Sequence, residues 1–264
     1  MKQETLKTIQ PSNRLTATFA GGLLATLCLM QLADAADNRD FVLDVPIDPT
    51  EEWALSSGGR IYDDWWEALG TEGPKETNPA YPASGTQTGA VTWRCKECHG
   101  WDYKGVAGAY SKGSHFTGIK GVDKMSGADP GKIAALLRAK SHGYTAAQIP
   151  DEALGRLALF ISRGQHDTEA YIDSATKKAK GNVDHGRKLY QAVCAACHGF
   201  DGKLLNFGDA KTPEFIGTVA ADNPWETLHK IRNGQPGAPM PTWRVFDMQT
   251  AVDVLAYSQT LPVK

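Results

Sequence analysis

Two short cysteine motifs constrain this chain more than any other feature of its sequence. Residues 95–99 read Cys-Lys-Glu-Cys-His, and residues 194–198 read Cys-Ala-Ala-Cys-His. In this pattern two thiols on one helical turn can form thioethers to one haem, and the histidine that follows binds the iron. The sequence therefore predicts two covalently attached haems with His99 and His198 as proximal iron ligands. The four attachment cysteines would be Cys95, Cys98, Cys194 and Cys197.

Three other uses of paired cysteines compete with haem attachment: a redox dithiol, a structural disulfide and a four-cysteine zinc site. A redox dithiol of the thioredoxin kind follows a strand, and neither motif follows a β-branched run. A zinc site gives no reason for a histidine after both pairs. The repeated histidine therefore favours haem.

The first 35 residues are typical of a secretory signal. Three basic residues precede an apolar run at 17–30, and the run ends in a small-x-small cleavage site at 33–35. The run is shorter than the roughly 20 residues that a membrane span needs. We expect cleavage after Ala35, loss of Cys28 with the signal, export to the periplasm, and no stable membrane span afterwards.

Charge excludes one class of partner. The formal net charge is −2, and basic and acidic residues are interspersed, so no basic face for nucleic acid is expected. Four lysines around the first motif are candidates to dock an acidic redox partner, although charged loop residues are usually just solvated. These are Lys96, Lys104, Lys112 and Lys120.

The residues that follow each motif resemble each other, which indicates an internal duplication. Asp-Pro at 129–130 and Asn-Pro at 223–224 each predict a helix start, because an N-cap residue precedes a proline at the first helical position. A last helix follows in each half, at 150–162 and at 247–260, with apolar residues at helical spacing.

These landmarks divide the chain after the signal. We expect a first haem domain at 36–165, a short polar connector at 166–182 and a second haem domain at 183–264. The first domain carries an inserted segment at 72–89, rich in Gly, Pro, Thr and Ser, which could form a wall of a substrate site.

The order of helix, Cys-x-x-Cys-His, loop, helix, ligand loop and last helix resembles the class I cytochromes c, and the tandem resembles the di-haem cytochromes c. The resemblance covers about residues 50–264 and implies an all-α fold of two helical domains. It also implies a methionine as sixth iron ligand in the loop before the last helix. In the second half that loop, 237–241, contains Met240 between two prolines.

The equivalent loop of the first half, 141–148, contains no methionine but does contain His142. Shifting Met240 back by the repeat offset leads to the same region, so His142 is the candidate sixth ligand of the first haem. Met125, His115 and an open iron are its rivals. A His/His haem has a lower potential than a His/Met haem, so electrons would run from the first haem to the second.

A saturated iron cannot bind substrate, so the leading interpretation is an electron carrier between redox partner proteins, with no catalytic residue. The alternative is a di-haem oxidoreductase with an open first haem, acting on a sulfur compound or on peroxide. Thiosulfate-oxidising di-haem enzymes resemble this chain but use a cysteine as sixth ligand, and here the thioethers consume every mature cysteine. A structural or sensing role is a third option.

Overall fold

Helices supply the regular structure of the described part of this chain. The computed structural model describes residues 45–264, where the only β-pairing is two isolated bridges, so the all-α prediction is confirmed. The predicted signal, with Cys28, lies outside the described residues. Within 45–264 no helix is both long and apolar enough to cross a membrane. The α-helices of this range are α1 (Glu51–Leu69), α2 (Cys95–His99), α3 (Pro130–Arg138), α4 (Asp151–Leu159), α5 (Thr168–Tyr171), α6 (Val183–Leu189), α7 (Ala195–His198), α8 (Ile216–Asp222), α9 (Pro224–Asn233) and α10 (Met248–Ser258).

Two of these helices begin at the caps that the sequence predicts. The Asp129 side chain accepts a hydrogen bond from the first turn of α3, at 2.7 Å, and Asn223 does the same for α9, at 3.4 Å. Proline follows each cap as the first helical residue. It fits there because the missing N–H would have no partner inside the helix.

Two pairs of helices cross at glycines. Helix α1 packs on α4, and α6 packs on α10. A Cβ atom on Gly58 of α1 would collide with the carbonyl oxygen of Arg156 in α4, and one on Gly186 of α6 with that of Asp253 in α10. In each pair the missing side chain lets the two backbones touch.

Replacing Gly58 with alanine should lower the free energy of unfolding by about 1–3 kcal/mol, because the added methyl group meets fixed backbone. Gly155 of α4 is the matched control, since a Cβ atom there meets nothing within 4 Å. Gly155→Ala should be neutral or stabilising by up to about 1 kcal/mol. Denaturant unfolding of the two variants measures the difference, and equal stabilities would contradict this account of the crossing.

The helices enclose two hydrophobic cores. The first core is built from α1, α3 and α4 around the first motif, with Tyr62, Trp65 and Phe160 among its largest members. The second core is built from α8, α9 and α10 together with Tyr190. Trp101, which follows the first motif, packs in the second core, so the cores are not strictly divided along the chain.

Buried polar groups join α1 to α9. His229 has one ring nitrogen, Nε2, 2.9 Å from the carbonyl oxygen of Gly59 and the other, Nδ1, 2.9 Å from the hydroxyl of Tyr103. A carbonyl only accepts, so Nε2 carries the proton and Nδ1 accepts from the tyrosine. Burial, the largest effect, lowers the pKa of His229 to about 4, which keeps the ring neutral. Arg60 donates to the carbonyl oxygen of Asn233 at 2.8 Å.

Candidate functional site

The residues predicted to hold the first haem line one cavity of about 360 Å³. Helix α2 contributes Cys95, Cys98 and His99, and the loop after α3 contributes His142. The remaining walls are mainly apolar or aromatic and include Tyr62, Val122, Met125, Ile133, Leu137, Tyr144 and Ile161. An apolar cavity with a few polar groups suits a large, flat, mostly apolar cofactor.

One nitrogen of the His99 ring is already used by the fold. Its Nδ1 lies 2.7 Å from the carbonyl oxygen of Lys120. Because a carbonyl can only accept, Nδ1 donates its proton there, and Nε2 is left without a proton. Removal from water is the main effect that lowers the pKa of His99 to about 4. The ring is therefore neutral, which is the form that binds a metal.

His142 is held in the same way. Its Nδ1 lies 3.1 Å from the carbonyl oxygen of Leu136 and 3.3 Å from the hydroxyl of Ser141. A second backbone carbonyl thus orients a second imidazole, and its Nε2 is again the nitrogen that remains for a ligand.

The rings of His99 and His142 lie at a separation that suits a shared metal. The ring centroids of His99 and His142 are 6.2 Å apart, with 35° between the ring planes. Metal–nitrogen bonds of about 2.0 Å, plus about 1.1 Å from nitrogen to ring centre, place two opposed imidazoles about 6.2 Å apart. The observed separation therefore matches that of two imidazoles that bind one metal ion.

Of the two rival side chains, His115 lies outside this cavity and Met125 lines it. His115 is not part of this cavity: its Nδ1 lies 2.8 Å from a carboxylate oxygen of Glu97, and its ring stacks on Tyr110 at 4.9 Å. Met125 does line the cavity, and it also packs against the first core as a partly buried side chain.

The inserted segment lies against the first cavity. Asn78, Ala80 and Tyr81 form part of its wall. The segment is tied to the rest of the fold, because the Asn78 N–H donates to the hydroxyl of Thr92 at 2.9 Å and Ser84 donates to the carbonyl oxygen of Thr117 at 2.9 Å. The segment thus forms a wall of the first site, as the sequence analysis allows.

The second motif spans a π-helical turn and α7. Its first cysteine ends the turn Tyr190–Cys194, and α7 carries Cys197 and His198. The Nδ1 of His198 is buried without a hydrogen-bond partner in the described residues, and its ring centroid lies 6.1 Å from that of Phe207. Such an orphaned imidazole and two thiols one turn apart form the donor set that a covalent haem requires.

Met240 lies in the loop that leaves α9. Its backbone N–H donates to the carbonyl oxygen of Ala238 at 2.8 Å, and Thr242 anchors the same loop to the carbonyl oxygen of Arg232 at 2.7 Å. The first contact lies within the loop, and the second fixes the loop to α9. They do not join Met240 to His198, so this pairing stays a prediction, unlike the observed approach of His142 to His99.

A tyrosine braces the glycine after each motif. The hydroxyl of Tyr62 donates to the carbonyl oxygen of Gly100 at 2.7 Å, and that of Tyr190 donates to that of Gly199 at 3.2 Å. The sequence shows the signal, because Gly-Arg precedes a tyrosine at 59–62 and again at 186–190, but it does not show the role.

A cluster of buried charged residues lies beside α2, the helix of the first motif. Burial by itself would raise the pKa of Asp63, but ion pairs with Lys230 (2.6 Å) and Arg94 outweigh it and hold that pKa well below its usual range. Glu97 is fully buried and pairs with Lys96 at 3.0 Å.

Two of the four lysines considered for partner docking have other roles in the fold. Lys96 is only 7% exposed. It cannot belong to a docking face, because it is buried beside the carboxylate that it neutralises. Lys104 pairs with Glu169 at 2.6 Å.

Three of the four motif thiols, those of Cys95, Cys98 and Cys194, are not poised for redox chemistry. Burial, the largest effect, raises the pKa of Cys95 and of Cys98 to about 12 and that of Cys194 to about 11. A redox dithiol requires a lowered thiol pKa, because the thiolate is the reactive form.

Known proteins resemble part of the chain. The family of subunit III of the cbb3-type cytochrome c oxidase matches residues 181–257. A cytochrome c-553-like protein of Synechocystis sp. is 33% identical over 84 residues, which are 71% of that protein and 31% of this chain. The chain belongs to the c-type cytochromes. No solved structure matches it.

Membership of the c-type cytochromes gives the coarse function. A c-type cytochrome transfers electrons through covalently bound haem and exchanges them with redox partners. The family match includes the second motif and Met240, and it ends one residue before the end of α10.

Proposed function

We propose that this c-type cytochrome is a periplasmic di-haem electron carrier built from two tandem haem domains, at 36–165 and 183–264, after a cleaved signal at 1–35. The approach of His99 to His142 carries the proposal, because a carrier needs a saturated first iron. Their centroid separation of 6.2 Å suits one iron between two imidazoles.

The first haem would be held by its motif and by the loop after α3. Cys95 and Cys98 would supply the thioethers, and His99 and His142 the axial nitrogens. The cavity fits this cofactor because both rings already give their Nδ1 to a backbone carbonyl. Mainly apolar walls and the inserted segment would keep water from the metal.

The second haem would be attached at Cys194 and Cys197, with His198 as proximal ligand and Met240 as sixth ligand. Support comes from the identical motif and from the position of Met240, in the loop between α9 and α10. That loop is where the class I cytochromes c carry their ligand. The orphaned Nδ1 of His198 marks the imidazole as one whose partners are incomplete in the protein alone.

Unequal ligation would give direction to the transfer. Bound haem iron supplies a one-electron couple, and its potential depends on the axial ligands. A His/His first haem would have the lower potential, so electrons would pass from the first haem to the second. The contact between α1 and α9 would hold the two haem-bearing halves at a fixed separation, because its polar groups are buried and paired.

Haem stoichiometry tests the proposal. The purified mature protein should contain two haems per chain, and the double variants Cys95→Ser/Cys98→Ser and Cys194→Ser/Cys197→Ser should contain one each. A pyridine haemochrome assay counts the haems, and the intact mass reports both their covalent attachment and cleavage after Ala35. A wild-type chain that carries a single haem would refute the di-haem proposal.

A further inference from the structure

One residue of α1 breaks the helix beside the first attachment motif. Asp64 has φ −152° and ψ 97°, which are extended values inside the helix Glu51–Leu69. No proline or glycine accompanies this break. The residue is 8% exposed, so the break presents a nearly buried carboxylate to the segment before α2.

The neighbouring cations compensate the charge of Asp63 and leave the charge of Asp64 poorly compensated. The guanidinium of Arg94 donates from Nη2 to the carboxylate of Asp63 and from Nε to its carbonyl oxygen at 2.7 Å. The ammonium of Lys230 also pairs with Asp63, at 2.6 Å. Asp64 is 3.5 Å from the same Nε, beyond a good hydrogen bond, and accepts one backbone N–H, from Glu67 at 3.2 Å.

Two adjacent buried carboxylates thus share one guanidinium, and only one of them is well paired. Under these conditions the less compensated acid holds its proton more strongly. Burial, the largest effect, raises the pKa of Asp64 to about 7, and Arg94 offsets only part of the rise. The titratable and charged groups that act on it are Asp63 and Glu67 on α1, Arg94 before α2 and Cys95 at the start of α2. Lys230 on α9 pairs with the adjacent Asp63.

This carboxylate lies close to the first haem cavity. Arg94, its ion-pair partner, lines the cavity and immediately precedes Cys95. About 12% of the Asp64 side-chain surface is exposed, so solvent protons can reach it. A charge change in the cavity therefore acts on Asp64 across the mostly buried side chain of Arg94, where screening by water is reduced.

We propose that Asp64 is a proton-binding site coupled to the redox state of the first haem, an inference that rests on the proposed haem at Cys95 and Cys98. When the first haem takes one electron from a redox partner, the Asp64 carboxylate takes one proton from solvent and becomes a neutral acid. On oxidation the electron leaves to the next acceptor and the proton returns to water. The oxidised metal carries one more positive charge, which disfavours the proton on Asp64.

The coupling predicts a pH-dependent potential for one haem. Around neutral pH the midpoint potential of the first haem should fall as pH rises. The limiting slope is a tenfold change in the reduction equilibrium per pH unit, or 59 mV for a one-electron couple. Asp64→Asn should abolish this slope while keeping the side-chain shape. The exposed Glu67 on the same helix supplies the control. Glu67→Gln should keep the slope but shift it to lower pH, because the Glu67 charge raises the pKa of Asp64. Potentiometric titrations from acid to alkaline pH measure all three proteins.

A second measurement needs no variant. Reduction of the wild-type protein in weakly buffered solution with a pH-indicator dye should show proton uptake near neutral pH that follows the first haem and not the second. Two redox waves without any pH dependence or proton uptake would overturn the role of Asp64 and leave the di-haem carrier intact. A single wave, with haem only at Cys194 and Cys197, would remove the proposed function as well.

Discussion

Replacing His142 with alanine is expected to open the first haem while leaving it attached. The two thioethers and His99 hold the cofactor without the second imidazole, so the variant should retain two haems per chain. Low-temperature EPR of the oxidised variant should show a high-spin component that cyanide converts to low spin, and the His/Met signal of the second haem should not change. The potential of the first haem should shift strongly, because axial ligands help to spread haem potentials over about 0.8 V.

Met125 is the matched control for this experiment, because it lines the same cavity. Met125→Leu preserves apolar volume and should leave both low-spin signals unchanged. The opposite pattern, with a high-spin signal from Met125→Leu and none from His142→Ala, would make Met125 the ligand. A wild-type protein that already binds cyanide would show an open first iron and favour an oxidoreductase.

Local patterns in the sequence predict much of this fold. The caps at Asp129 and Asn223 act within one helical turn, so the residues alone determine where α3 and α9 begin. The candidate His142 follows from the repeat offset, and the structure places its ring opposite that of His99. Its role as a ligand, like that of Met240 and the domain boundaries, stays a prediction.

Contacts between distant segments cannot be predicted from such local patterns. Lys96 and Glu97 look like solvated loop charges, yet both are buried. Asp63 pairs with Lys230, which lies 167 positions later in the chain. No local pattern encodes such a partner, because the pairing depends on how α1 meets α9. The break at Asp64 is hidden for a similar reason, since tertiary contacts and not a helix-breaking residue accompany it.

Replacing Asp63 with alanine is expected to be the most destabilising single change among the described ion pairs. Asp63 is fully buried and receives both Arg94 and Lys230. Its removal takes the closest carboxylate from both cations and leaves Arg94 with Asp64 at 3.5 Å and Lys230 with Glu226 at 3.8 Å. The expected loss in the free energy of unfolding is about 3–5 kcal/mol. Urea unfolding of the haem-loaded protein at neutral pH measures this loss.

Two control variants separate the effect of the lost charge on stability from the effect of the lost packing. Glu169→Ala breaks a pair of similar length with Lys104 at 2.6 Å, but Glu169 is 68% exposed, so about 1 kcal/mol or less should be lost. The double variant Asp63→Ala/Lys230→Met should be more stable than Asp63→Ala alone, because it also removes Lys230, one of the two cations that lose Asp63 as a partner.

Acid should reduce the difference between the wild-type protein and the Asp63→Ala variant. Because its neighbours hold the pKa of Asp63 well below the ordinary value, its contribution to stability is present above about pH 4, the unfolded pKa of an aspartate. The contribution is lost as pH falls towards the folded pKa. In this range the unfolded state binds a proton and the folded state does not, so acid favours unfolding. Unfolding free energies of the two proteins should therefore converge below about pH 4, apart from the packing lost with the side chain. A gap that keeps its full size in acid would show that packing and not charge makes Asp63 important.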